Sequence, residues 1–336
     1  MSSALAWSAA GFIAASVALL LLGGPFTRAA DALAERTGIG RALVGGVLLG
    51  ALTSLPGLMG TGTAALEGRP SFAVSHALGG ISAQTAFIVV ADLVYRKANL
   101  EYAAASLPNL FQSTVLLGLL GLVLMAMAAP RIAFAGVHLF TPVLAFLYLA
   151  GLRMTQGIQK APMWSPRKFA GTPEESTTNT PSDLPVRVLL FKVVSMGLVC
   201  AGAGSLLAKT GLHMATVTRL SDSFVGAAFS GVASSIPELV TTIFAVRAGA
   251  LTLAVANIIG GNTFDVLMVC CADLLTADPI YHLIDQATFF IAAETIFLTA
   301  VLTAGMLRRQ RRGVGFEGVI ILLTYTAGLC VLVHGV

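Results

Sequence analysis

Runs of about twenty apolar residues recur from one end of this chain to the other, the length an α-helix needs to cross a bilayer. With 56% hydrophobic and only 11% charged residues among 336, and a mean hydropathy of +0.87, a soluble globular domain is excluded. The pattern predicts an all-α polytopic membrane protein. Ten transmembrane helices are expected, near residues 4–24, 40–66, 71–95, 106–129, 131–152, 186–208, 221–247, 251–275, 285–307 and 314–335. The 35 glycines suit helices that pack closely or break.

A net charge of +4 could suggest a nucleic-acid partner in a soluble chain. Here the basic residues sit between apolar runs and act as orientation signals, so no nucleic acid is expected. With the N-terminus outside, 16 of the 20 Lys and Arg fall in inside segments. Both termini are therefore expected on the extracytoplasmic side of a bacterial-type cell (inner) membrane. Met1–Trp7 carries no Lys or Arg and no cleavage signal, so the first run is read as a retained span. Cys200, Cys270, Cys271 and Cys330 all lie inside predicted spans without CxxC spacing and read as packing residues.

Residues 153–185 hold five prolines in a Ser/Thr tract, the composition of a flexible cytoplasmic linker. The linker separates 1–152 from 186–336, with five predicted spans in each. An odd number makes the second half enter the membrane in the opposite sense, so a repeat between the halves has inverted topology.

Such a repeat exists. Shifting the chain by 181 positions aligns Gly50–Leu93 with Gly231–Leu274 without a gap, pairing Ser54 with Ser235, Pro56 with Pro237, Gly79-Gly80 with Gly260-Gly261, and Asp92 with Asp273. In each copy a hydroxyl cluster (Thr53-Ser54; Ser234-Ser235) precedes a proline in mid-span. Proline removes a backbone donor and disrupts the helix. Irregular backbone persists at membrane depth only where it is packed in protein or lines a cavity. Freed carbonyls, hydroxyls and carboxylates are hard oxygen ligands of the kind that hold Na+ or Ca2+. Carboxylates within a span mark an ion path by default, which singles out Glu238 and Asp265.

The segments S-S-I-P-E-L (234–239) and G-N-T-F-D (261–265), at this spacing in a chain with inverted halves, resemble the α-repeats of the calcium/cation antiporter superfamily, which includes the sodium/calcium exchangers. The resemblance implies that spans 2, 3, 7 and 8 cross near mid-membrane and enclose the ions. It places Ser234, Ser235, Glu238, Gly261 and Asp265 at ligand positions of the second repeat, and Thr53, Ser54, Gly57, Gly80 and Gln84 at those of the first. The family pattern has Glu after the first proline, where this chain has Gly57. It has Asn where this chain has Ile81, Asn or Asp where Gln84 stands, and Ser at Gly80 and Gly261.

The expected function is secondary active antiport of a cation, Ca2+ first, against Na+ or H+, by alternating access and with no covalently bound cofactor. Two carboxylates, Glu238 and Asp265, remain as metal ligands, and Ca2+ affinity follows the ligand charge. A monovalent cation/H+ exchanger on the same fold and a transport-inactive membrane scaffold are the alternatives. No enzyme is expected, because no HExxH, GxSxG or paired-Asp pattern occurs. Glu294, in mid-span, and His76, four residues before Gly80, are accessory candidates. Asp92 and Asp273 are expected to face the interface at span ends, and Arg308–Arg312 to anchor topology. Beyond the bilayer and the transported cations, the sequence names no partner and sets no oligomeric state.

Overall fold

Prolines and glycines set where the helices of this computed structural model break, and packing sets how far they run. The structure describes residues 2–37, 53–95, 99–161, 163–164, 184–308 and 314–334. In chain order the helices are α1 (Ser2–Thr37), α2 (Leu55–Leu66), α3 (Pro70–Tyr95), α4 (Leu107–Ala128), α5 (Phe140–Lys160) and α6 (Val186–Thr218). Then come α7 (Asp222–Ser234), α8 (Ile236–Arg247), α9 (Leu251–Leu275), α10 (Gln286–Leu307) and α11 (Phe316–His334). A short helix, Leu100–Ala103, lies between α3 and α4.

Among the described residues seven helices are long and apolar enough to cross a membrane, and the bent pair α7–α8 makes an eighth. The chain is an integral membrane protein. Of the other two expected spans, the one at 40–66 is described only from residue 53, where it leads into α2. The last, expected at 131–152, starts nine residues late. Its place is taken by a hairpin of β1 (Ala133–Phe134) and β2 (Val137–His138). Ala135 and Gly136 close it at φ 52° and 84°, the left-handed pair that a two-residue hairpin turn needs. The helix α5 then runs to Lys160, past the residue at which the linker was expected to begin. The linker's residues 165–183 lie outside the described residues, as do Arg309, Arg311 and Arg312. Arg308 stacks on the Phe316 ring at 4.6 Å.

The 181-residue offset extends through the backbone. Both α2 and α8 have twelve residues, start 181 apart, and carry proline at their second position. Each is followed by a glycine at positive φ, Gly68 at 68° and Gly249 at 80°, a conformation that other residues adopt only with strain. The following helices, α3 and α9, also start 181 apart.

Depth distinguishes the helices. In α3 and α9, 78% and 72% of the most apolar stretch is buried, against 11% in α1 and 28% in α6. Thus α3 and α9 form the centre, and α1 and α6 lie outside it, packed along each other through Leu19, Phe26, Ala29, Val193, Cys200 and Leu207. Lipid is as apolar as leucine, so this pairing rests on close packing more than on the hydrophobic effect. It also explains why α1 continues past Pro25, where the sequence suggested an end: Phe26, Ala29 and Ala30 are buried beyond it. A glycine in each outer helix admits a proline of a broken helix. A Cβ on Gly23 would lie 2.9 Å from Pro237 Cα, and one on Gly204 would overlap the Pro56 backbone.

Asp92 and Asp273 are buried, contrary to the expectation of an interfacial position. Asp92 Oδ1 accepts the Leu100 N–H at 2.6 Å. Asp273 accepts the N–H of Ile280 at 2.8 Å, the N–H of His138 at 2.9 Å and the Thr141 hydroxyl at 2.6 Å. Backbone N–H groups buried at loop starts need partners, and these matched carboxylates supply them. The cysteines are free; Cys200 and Cys270 are packed inside, whereas Cys330 is exposed on α11.

Candidate ion-binding site

The site begins with the two breaks. Ser54 and Ser235 sit just before α2 and α8 with nearly identical backbones, φ −78°, ψ −1° and φ −89°, ψ 4°. A proline two residues later occupies the first turn of the new helix, where its missing N–H has no intrahelical partner to lose. The chain bends by 43° between α7 and α8, and the preceding turn, Val225–Gly231, is π-helical. A Cβ on Gly231 would lie 2.8 Å from both Gly80 N and His76 O, so α7 and α3 touch backbone to backbone.

Four elements bring the predicted residues together. Glu238, in the first turn of α8, is 1% exposed and receives the Ser54 hydroxyl at 3.5 Å on Oε1. The Thr53 hydroxyl reaches the same carboxylate. Asp265 on α9 is 2% exposed, and its Oδ2 accepts the Gln84 amide from α3 at 2.6 Å. The same Nε2 donates to Ser235 Oγ at 3.2 Å. Ser234 donates to Gly231 O at 3.0 Å, so His76 Nε2, 3.2 Å from the Ser234 oxygen, is the donor in that pair. His76 Nδ1 lies 2.9 Å from the Ser230 hydroxyl.

Three oxygens are left over. Gln84 Oε1, Glu238 Oε2 and Asp265 Oδ1 are buried without a hydrogen-bond partner. All three residues line one cavity, together with Ser54, Ser234 and Ser235. It has room for one water or one bare ion. Buried polar atoms in native proteins are nearly always partnered, so acceptor-only oxygens around a small void are a seat for a cation or a proton. Two neighbouring carboxylates in a low-dielectric setting also need positive charge between them. Among the described residues no group of three or more His, Cys, Asp or Glu side chains could hold a metal ion. A cation here must therefore use the amide and hydroxyl oxygens as well.

Gly57 lines the cavity, and so does Met268, which sequence reasoning missed. The available signal was spacing, since Met268 follows Asp265 by three residues and shares its helix face. The predicted glycines have their neighbours at contact distance: a Cβ on Gly80 would lie 3.3 Å from Ser235 Oγ, and one on Gly261 3.2 Å from Gln84 Oε1. Glu294 is not brought to the cavity. It lies between α10 and α11, against Gly328, with Oε1 unpartnered.

The family model described as "Sodium/calcium exchanger protein" matches residues 7–152 and 188–333. A protein of Alkalimonas amylolytica that carries the antiporter name CaxA is 26% identical over 311 residues, covering 89% of this chain and 90% of its own. The sodium/calcium exchanger MaX1 of Methanosarcina acetivorans is 28% identical over 149 residues, covering 42% and 39%. The solved sodium-calcium exchanger NCX_Mj superposes with a TM-score of 0.59 at 18% identity over 96% of this chain and 98% of its own. Native YfkE gives a TM-score of 0.58 at 16% identity over 99% and 97%. At these identities the structural likeness establishes the fold alone, while the family match spans most of the sequence in two blocks. The chain belongs to the sodium/calcium exchanger protein family.

Proposed function

We propose that the protein is a secondary active antiporter that exchanges a cation, Ca2+ in the first reading, for Na+ or H+ at a single site between α2, α3, α8 and α9. One observation carries this reading: two carboxylates and an amide direct unpartnered buried oxygens at one ion-sized cavity. The names of the matched relatives, an antiporter and a sodium/calcium exchanger, point the same way. In this reading Glu238 and Asp265 are the ionic ligands. Ser54, Ser234, Ser235, Thr53 and Gln84 supply neutral oxygens or hold the carboxylates, and Gly261 keeps the wall thin.

Residues 1–152 and 186–336 act as two inverted five-helix repeats joined by 153–185. The 181-residue offset in helix starts, prolines and positive-φ glycines supports this division. The basic-residue asymmetry supports extracytoplasmic termini in an inner membrane. Alternating access comes from α1 and α6 sliding over the central helices. Their shallow burial and their glycine contacts with Pro56 and Pro237 support this role.

A second reading, exchange of a monovalent cation for H+, is favoured by Gly57 and Gln84, which stand where the other half has Glu238 and Asp265. Purified protein in vesicles, assayed for Ca2+ and Na+ flux under Na+ and pH gradients, separates the two readings. Glu238→Gln should abolish whichever flux is found. Flux that survives in Glu238→Gln sinks the site, and an absence of any flux in the wild type leaves the scaffold alternative.

A further inference from the structure

The two halves differ most in chemistry at the residue after the proline, Gly57 in one and Glu238 in the other. What occupies the space beside Gly57 bears on which ions the site accepts. A Cβ added to Gly57 would lie 2.8 Å from Met268 Cε, 3.2 Å from Met268 Sδ and 3.8 Å from Ser234 Oγ. Any side chain at 57 would thus start toward the cavity, and the thioether already fills its path. Met268 is 3% exposed, lines the same cavity as Glu238 and Asp265, and has its sulfur held by the Thr61 hydroxyl at 3.9 Å. A thioether is soft and apolar, a weak partner for hard cations such as Na+ and Ca2+. A Ca2+ ion needs six to eight oxygens, and its affinity rises with the number of charged ligands. Along this wall it meets no charged ligand.

We propose that Met268 is a specificity-determining residue, which fills the space that a first-half carboxylate would need, limits the site to Glu238 and Asp265, and so keeps its affinity for divalent cations low. The proposal rests on the reading that this cavity is the transport site. It also changes what a restoring substitution should do. Glu at position 57 is expected to be ineffective while Met268 remains: a Cβ alone meets only the movable end of that thioether, but the carboxylate beyond it competes with the sulfur, held by Thr61, for a cavity with room for one water. Clearing the wall and adding the carboxylate must go together.

The test is Ca2+ and Na+ binding by isothermal titration to purified full-length protein. The set is wild type, Gly57→Glu, Met268→Ala, Gly57→Glu/Met268→Ala and Gly57→Glu/Met268→Leu, with monodispersity and thermal midpoint checked for each. The Gly57→Glu/Met268→Ala pair should bind Ca2+ about tenfold or more tightly than wild type, the scale on which added ligand charge tunes such sites. Gly57→Glu alone, and Gly57→Glu with Met268→Leu, which keeps the bulk, should not exceed wild type. Equal Ca2+ affinity in Gly57→Glu and the Met268→Ala pair overturns the proposal, as does a pair within about twofold of wild type. If the position-57 variants fail to fold, Met268→Ala alone decides. Admitting water to the cleared wall should raise Ca2+ affinity relative to Na+ by about threefold, the factor set by roughly 0.7 kcal/mol, and an unchanged ratio overturns it. Glu238→Gln is the separate control: cation binding that survives it refutes the cavity as the site, whatever the Met268 variants do.

Discussion

Placed 181 residues apart, the two halves share their backbone devices and differ in their acids. Ser54 and Ser235 hold the same bend, Pro56 and Pro237 restart the helix, and Gly68 and Gly249 close the same turn. Gly23 and Gly204 each admit a proline, and Asp92 and Asp273 each cap a loop. Yet Glu238 faces Gly57 in the alignment, Asp265 faces Gln84, and Glu294 faces Ser113. Packing explains the difference. A changed glycine or proline meets neighbouring backbone at once, whereas a changed ligand meets a cavity that water, an ion or a methionine can fill. The fold therefore holds both halves to one plan, while the carboxylates that line the cavity come from one half.

The largest expected effect tests that division. Glu238→Gln should reduce exchange by about a hundredfold or more, because one of two charged ligands is lost from a site whose affinity follows its charge. Gly57→Ala, its mirror position, should leave flux within a few-fold; comparable losses at both positions would show that the acids do not define the active half. Next come the backbone glycines. Gly204→Ala should lower stability by about 3 kcal/mol and Gly23→Ala by about 1 kcal/mol, spanning the range for overpacking, since the first clash involves the Pro56 backbone far more severely. Thermal unfolding in detergent checks the ranking, and an inverted order would break the symmetry drawn from the offset. Smaller still, Gln84→Ala should lower stability by about 1–2 kcal/mol by removing the donor that partners buried Asp265.

The smallest effect concerns the connection after α3, where the second half has His282 at the position of Glu101. Glu101, outside the spans, is buried near Asp92 and Glu317, and burial followed by those carboxylates pushes its own carboxyl up to about 8. An acid that holds its proton more tightly when folded than when unfolded favours the folded state at low pH. That contribution fades as pH rises from the ordinary carboxylate range toward 8. Glu101→Gln should flatten the fall in thermal midpoint between pH 5 and pH 8. An unchanged slope would mean that another group governs it.

Much of this was legible in the sequence because it depends on local rules. Apolar run length gave most of the helices, the repeat gave both bends, and the family resemblance put Gln84, Ser235, Glu238 and Asp265 at one site. What escaped depends on partners. Neither Ala135-Gly136 nor its flanks carry a strong hairpin signal, and the turn makes sense only where loop 276–285 receives it. The first span was expected to end at residue 24, and only the burial of Phe26 and Ala29 against α6 shows why the helix continues past it. Asp92 and Asp273 looked interfacial because no sequence rule shows which backbone N–H a carboxylate will meet. Met268 was one methionine among many apolar residues, and Glu294 could not be placed beside Gly328 without the packing of α10 on α11.

The exchange of glycine and proline contacts between the halves has a consequence for synthesis. Pro56 is covered by Gly204, 148 residues downstream, and Gly23 finds Pro237 only 214 residues after it is made. An N-terminal half already in the membrane therefore holds an uncovered break until α6 arrives, and α1 lacks one of its supports until α8 does. The two halves mature as one unit. A truncated or paused chain would present lipid with backbone that only the missing half can shield.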